Sequence, residues 1–525
     1  MRPALIMGLL RQEPTNKVPR DIRWPAHRLT TPDLSANVQA VPRCELFRFD
    51  APVCGQTLSG RHMIPRGQSM GELRMVTDRH ANVSALHWRR TIIVVGVAAF
   101  LVSLSACGGS RTSASAKSSS TSTTKLTFWD WSAGSNRMAE AFNKSHPRIQ
   151  VTLEDVGAGG TEYTKIADAL AAGSGAPDLA EIEYDELPSL EITHHLVDLA
   201  PYGAAKHRND FVPWAWSEVT HGSHIWAFPD QGGPVALLYN SKLFDKYGLK
   251  VPETWADFAA DAKKLHEANP TSYITNFAPA DIQWVLTLMA QYGAFPFAYS
   301  GGSDVTIDFT GPKQTEFANY WDSLLANHYV NSTPDISPTA FGDMDNGTDA
   351  TFISAGWGAQ YMSADIKKTR GDWRSAPMPQ WTAGEQVDGN WGGIAWGVLS
   401  QTHHASEAAQ FALWLGATME SWAIQTSPPT LSFPAFLPEL NSTSFASATL
   451  PLTGTSDYHK AFIESAKHGP AVEWPPFMTL VLTDSGTAFR KVMAGEESLK
   501  AAFADFQTTL VKYAKSEGFK VSTTL

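Results

Sequence analysis

At 525 residues the chain is too long for one ordinary core, so two or more domains are expected. Hydrophobic residues make up 43% and charged residues 18%, which fits a globular protein with real cores. Charge is uneven: residues 1–106 carry 14 Lys/Arg against 7 Asp/Glu, the remainder 27 against 45, and so acidic a body excludes nucleic acid as a partner, because a phosphate backbone needs a basic face.

Residues 87–107 read HWRRTIIVVGVAAFLVSLSAC. A basic pair, Arg89-Arg90, precedes an apolar run over 92–104, and small residues lead to Cys107. This is the order of a secretory signal, and the run is shorter than the ~18–20 residues of a spanning helix. Leu104-Ser105-Ala106-Cys107 resembles the lipobox of bacterial lipoproteins. That resemblance implies a lipid on the Cys107 thiol and cleavage before it; the alternative is an uncleaved anchor with an incidental cysteine. Residues 1–74 lack hydrophobic periodicity and read as an extension, either disordered or reflecting a true start at Met75, with 75–106 the signal peptide. After Cys107 the Ser/Thr/Gly tract up to residue 125 is too polar to pack and reads as a flexible tether. Cys44 and Cys54 are the other cysteines, so the body has neither disulfide nor thiolate metal site.

The body opens with a strand over residues 126–129, a helix over 137–144, a strand over 149–153, a helix over 163–172 closed by Gly173, and a third strand over 179–182. A strand follows over 235–239 and a helix over 255–268, started by Thr254 after Pro252. Further helices are expected over 282–292, 314–327, 406–415 and 499–514, and a turn at Gly347 enters a strand reaching Ile353. Alternation of this kind predicts an α/β fold with a largely parallel sheet.

Several segments in order resemble the extracellular solute-binding proteins of ATP-driven sugar importers. They are LTFWDWSAG with AFNKSHPRIQV, AAGSGAPDLAEIEYDELP, IWAFPDQGGPVALLYNSKLFDKYGL with VPETWADFAADAKKL, and GNWGGIAWGVLSQTHHASEAAQFALWL. The resemblance covers nearly the whole body. It implies a two-lobed periplasmic-binding-protein-like fold with hinge crossings and a ligand cleft between the lobes. Lobe 1 would comprise 126–230 plus 396–430, and lobe 2 would comprise 235–390 plus 450–525. Crossings would fall near 228–235, near 390–396 and in the Pro-rich stretch 427–451. It further implies a neutral sugar or oligosaccharide as ligand, two membrane permease subunits as partners, a lipid-anchored monomer on the extracytoplasmic face, and no enzymatic activity.

A sugar offers ring hydroxyls and an apolar face, so its site needs carboxylates, amides and aromatic platforms at strand ends. Asp130 and Trp131 follow the first strand, and Glu183 and Tyr184 end the third. Asp230 and Gln231 lie at the first crossing beside Gly232-Gly233. Trp391, Gly392 and Gly393 form the segment that, by resemblance, presents backbone to the ligand. Trp284, Trp357, Trp381 and Trp474 are further platforms to consider, each alternatively a core aromatic. The pairs His194-His195 and His403-His404 point their side chains apart and make no metal site. No phosphate loop, dinucleotide fingerprint or nucleophile elbow occurs, and no cofactor is expected. Two other readings stay open: a secreted glycoside hydrolase, which needs two carboxylates at a set separation, and a binder of a non-sugar solute.

Overall fold

Strand β1 (Thr124–Trp129) pairs in parallel with β2 (Ile149–Glu154) and β3 (Leu179–Glu183), in a computed structural model that describes residues 122–525. The leader, Cys44, Cys54, the lipidation site Cys107 and nearly all of the tether lie outside the described residues. The helix between the first two strands, Ser135–Ser145, buries Met138, Ala139 and Phe142. These recur every third or fourth residue and so share one face. Asn143 then fixes the return: its amide donates to the Val151 carbonyl and its oxygen accepts from the Val151 N–H, at 2.8 and 2.7 Å. The next helix, Gly160–Ala172, ends where Gly173 turns left-handed at φ 72°.

A two-residue-stranded hairpin, β4 (Thr220–His221) and β5 (His224–Ile225), precedes the longest strand, β6 (Phe228–Asn240). Its N-terminal part pairs antiparallel with β11 (Asn390–Val398), and its C-terminal part with β9 (Thr351–Ala355) and β10 (Trp373–Ala376). β11 in turn pairs antiparallel with β3. A separate small sheet holds β7 (Phe297–Ala298), β8 (Asp304–Ile307) and β12 (Lys520–Ser522). The main sheet is therefore mixed: only β1, β2 and β3 are mutually parallel, a correction to the largely parallel sheet expected. The reason is the pair of crossing strands, which run against their neighbours. The expected strand over 235–239 is the end of β6, which begins seven residues earlier, at Phe228.

Residues 433–436 run beside β6. Gly232 N–H donates to the Phe433 carbonyl at 2.9 Å, and Ala435 N–H to the Asp230 carbonyl at 2.8 Å. This passage falls within the Pro-rich stretch where a third crossing was expected.

The helix Trp255–Ala268 starts at Thr254, whose hydroxyl and the Asp257 carboxylate cap each other's backbone N–H groups. The helices Ile282–Tyr292, Pro312–Ala326, Ala405–Ala417 and Leu499–Ser516 cover the sheets. Two aromatic cores result. Phe128 meets Trp396 and Phe411 with ring centroids 5.4 and 5.2 Å apart. Trp321 meets Phe277 and Trp255 at 4.4 and 5.5 Å. Trp255, Trp284, Trp321, Trp373, Trp396 and Trp422 are fully buried, so much of the tryptophan content serves packing.

Candidate functional site

Two glycines on β11 shape the middle of the site. Gly392 and Gly393 hold φ at 64° and 107°, and the β6–β11 register shifts on both sides of Gly393. A β-carbon on Gly393 would lie 2.8 Å from the Gln231 carbonyl and 3.0 Å from the Tyr184 ring. Only glycine brings the backbone this close while holding a left-handed φ.

A cavity of about 160 Å³ opens here. The parallel strands contribute Trp131 and Ser132, just beyond β1, and Glu181 and Glu183 on β3. The crossing strands contribute Gln231, Trp391, Gly392, Gly393 and Ile394. The remaining wall is Asp281 and Gln283 at the start of the helix Ile282–Tyr292, with Ile336, Trp357, Gln360 and Tyr361.

The aromatic part of the wall is held in place. Trp357 Nε1 donates to the Trp391 carbonyl at 3.0 Å, and the two rings lie 4.9 Å apart, tilted by 56°. Tyr361 meets Trp357 edge-on at 5.7 Å, and Trp131 meets Tyr163 edge-on at 6.0 Å. The Tyr163 hydroxyl donates to Glu183 Oε2 at 3.0 Å and accepts from the Glu183 N–H at 2.9 Å, which fixes the end of β3. Gln283 Nε2 donates to Asp185 Oδ2 at 2.7 Å, tying the helix start to the segment after β3.

The acidic part is strongly perturbed. Burial, then the neighbouring Asp185 charge, pushes Glu183 up to about 8. Glu181 is pushed well up by burial and next by Asp130. Burial also raises Asp130, whose Oδ1 accepts from the Ser132 N–H at 2.6 Å while the Ser132 hydroxyl donates to Glu181 at 3.1 Å. Behind them Glu162 is driven to about 9, by burial first and then by Asp130 and Asp155. Removing a carboxylate from water disfavours its charged form, and a second carboxylate nearby adds to that.

The structure gathers Trp131, Glu183, Gln231, Trp357, Trp391, Gly392 and Gly393 around this cavity. The other expected residues lie elsewhere. Asp130 is buried beneath Ser132 and supports it. Tyr184 is buried behind Gly393, edge-on to Trp214 at 5.7 Å. Asp230 is wholly buried and accepts from Gln425 at 3.2 Å, because strand alternation turns its neighbour Gln231 to the cavity instead. Trp284 packs in the second core, donating to the Ile353 carbonyl at 3.3 Å. Trp474 donates to Glu218 at 3.0 Å and packs on Phe295, off the cavity wall. Trp381 packs on Trp255 and Tyr292. Asp281, Gln283, Ile336, Gln360 and Tyr361 are lining residues that sequence reasoning missed. Among the described residues no group of three or more His, Cys, Asp or Glu is arranged to hold a metal ion.

The family described as bacterial extracellular solute-binding protein matches residues 130–419, more than half of the chain. The chain belongs to that family. As a family member it is a solute-binding protein and not an enzyme, and its family places it outside the cytoplasm. This solute-binding protein is 24% identical over 250 residues to the arabinooligosaccharide-binding protein of Halalkalibacterium halodurans, covering 46% of this chain and 55% of the relative. The match therefore spans about half the length of that relative. The arabinooligosaccharide-binding protein of Bacillus subtilis is 23% identical over 325 residues, covering 59% of this chain and 72% of the relative. Among solved structures, the transporter-associated binding protein of B. animalis subsp. lactis, in complex with beta-1,6-galactobiose, superposes with a TM-score of 0.67 at 28% identity. It covers 76% of this chain and 100% of its own. The galacto-N-biose-/lacto-N-biose I-binding protein of Bifidobacterium longum shares the fold, with a TM-score of 0.66 at 24% identity over 76% of this chain and 99% of its own.

Proposed function

We propose that this solute-binding protein captures a sugar or short oligosaccharide in the cavity beside Gly392 and Gly393 and delivers it to two permease subunits of an ATP-driven importer, as a monomer anchored through Cys107. The observation that carries this reading is the pairing of surfaces on the cavity wall. Trp131, Trp357, Trp391 and Tyr361 offer apolar rings, while Glu181, Glu183, Gln231, Asp281 and Gln283 offer polar groups beside them. A sugar presents an apolar ring face and an equatorial belt of hydroxyls, and this wall has partners for both. The names and bound ligands of the relatives support the same class of ligand.

The test is a thermal-shift screen of residues 122–525 against a carbohydrate panel that includes pentose, hexose and amino-sugar oligomers. A ligand that binds only the folded state, present at about a hundred times its Kd, stabilises by about 2.7 kcal/mol and raises the melting temperature. The best ligand is then incubated with the protein and recovered. The capture reading expects it intact. Products that track protein concentration through repurification would make the protein a hydrolase, and a panel without any stabilising sugar would overturn the sugar reading.

A further inference from the structure

The cavity is sealed along one flank. There Gln283, a lining residue, donates to Asp185 Oδ2 at 2.7 Å. The seal continues away from the cavity: the Thr479 hydroxyl donates to Glu186 at 2.8 Å, and Trp474 Nε1 donates to Glu218 at 3.0 Å. Each bond joins a residue between β3 and β6 to one that follows β6. Asp185 and Glu186 are 3% and 1% exposed, so water is excluded from the seam. The helix Met478–Ala488, which carries Thr479, also packs against the helix Gly160–Ala172 and the turn Tyr184–Glu186. A ligand therefore has no path outward past Gln283. Of the described residues lining the cavity only Tyr361 is exposed, at 41%, which puts the mouth there.

The enclosed space is short as well as blind. It measures about 160 Å³. A water needs about 10–15 Å³ of such space, so roughly a dozen waters fill it. At about 30 Å³ of liquid per water, a hexose takes the place of about six waters and a disaccharide of about twelve. Two rings fill the cavity, and a third ring lies outside Tyr361 with bulk water around it.

We propose that this site is blind-ended and encloses at most two sugar rings, so that the captured solute is recognised by the one or two rings at a chain end. This inference rests on the sugar reading above and narrows it. The seam through Asp185 and Glu186 sets the length, and the aromatic and polar wall supplies the contacts.

Isothermal titration with chains of one, two, three and four rings, built from each sugar that stabilises the protein, tests it. The third and fourth rings are each expected to tighten binding by less than threefold. The best binder is then given a bulky aromatic group at its reducing end or at its opposite end. One placement should cost tenfold or more in affinity and the other should be tolerated. Gln283→Ala cuts back the blind end and should raise the affinity of three rings relative to two by threefold or more, with a melting curve to verify that the variant is folded. If it does not fold, the chain series and the end groups on the parent protein decide. A gain of threefold or more from a third or fourth ring, or equal effects of the two end groups, would overturn the blind-ended site and leave the sugar reading standing. An unchanged ratio in folded Gln283→Ala would overturn the placing of its blind end at Gln283. If no sugar of any length binds, it is the sugar reading itself that falls.

Discussion

Asn390 and Gly233 fasten the two crossing strands to each other. The Gly233 N–H donates to Asn390 Oδ1 at 2.8 Å, and Asn390 Nδ2 donates onward to the Gly392 carbonyl at 2.8 Å. One amide thus bridges β6 and β11 beside the irregular register that opens the cavity. The strands approach so closely that a β-carbon on Gly233 would lie 1.9 Å from the Trp391 carbonyl.

Gly233→Ala should therefore pry the crossing strands apart, because the clash is with backbone and not with a flexible side chain. We expect a melting temperature well below the parent and loss of ligand binding. Gly486→Ala is the matched control: this exposed glycine sits inside the helix Met478–Ala488 with nothing near its would-be β-carbon. It should gain about 0.5–1 kcal/mol. Equal melting curves for the two variants would contradict the packing described for the crossing.

Trp357 and Trp391 divide the work of the aromatic wall. Trp391 is 2% exposed and belongs to the core, whereas Trp357 is only partly buried against it. Trp391→Ala should cost stability of about 3–5 kcal/mol as well as binding. Trp357→Ala should weaken binding by about 2 kcal/mol or more, roughly thirtyfold, with a smaller change in the ligand-free melting curve. Calorimetric titration alongside thermal melts separates the two, and unchanged affinity in Trp357→Ala would remove it from the site.

Stability of the ligand-free protein should fall as pH rises from about 4.5 to about 9. Glu183, Glu186 and Glu218 are held near 8 and Glu162 near 9, each chiefly by burial. Their folded values lie above those of the unfolded chain, so between the two the folded state binds more protons. The stabilisation is complete below the unfolded value and is lost as pH climbs through the folded one. Melting curves across this range should show the decline, and Glu162→Gln should flatten it. A melting temperature that rises across the window would show these acids to be ionised and compensated.

Cys107→Ala should release the protein from the membrane or stall it unprocessed, because the lipid chains of the expected anchor have no other attachment point. Fractionation of cells followed by mass measurement reads both outcomes. Processing and membrane retention identical to the parent would show that Cys107 carries no lipid.

Periodicity exposed the regular elements well. The helices Trp255–Ala268 and Ile282–Tyr292 were legible to the residue, since Thr254 announces the start of the first and apolar residues run through each. The mixed sheet was not legible, because strand direction depends on partners far apart in sequence. Site residues failed by single steps. Gln283 faces the cavity and Trp284 the core, since one helical step turns the side chain by about 100°. A lone polar residue between Ile282 and Trp284 was the available signal. Gln231 and Asp230 differ by the alternation of a strand. Ile336, Gln360 and Tyr361 carry no comparable mark, because the chain brings them to the wall only through tertiary packing.

The crossing strands leave the main sheet stitched from stretches made at very different times. β3 gains its antiparallel neighbour only once residues 390–398 exist, and the passage along β6 waits for residues 433–436. A ribosome or export channel that releases the chain from its N-terminus thus delivers an unfinished sheet for most of the emergence, and such long-range closure is slow. A chain cut short before residue 433 would leave Gly232 and Asp230 on β6 without the backbone partners they have at Phe433 and Ala435.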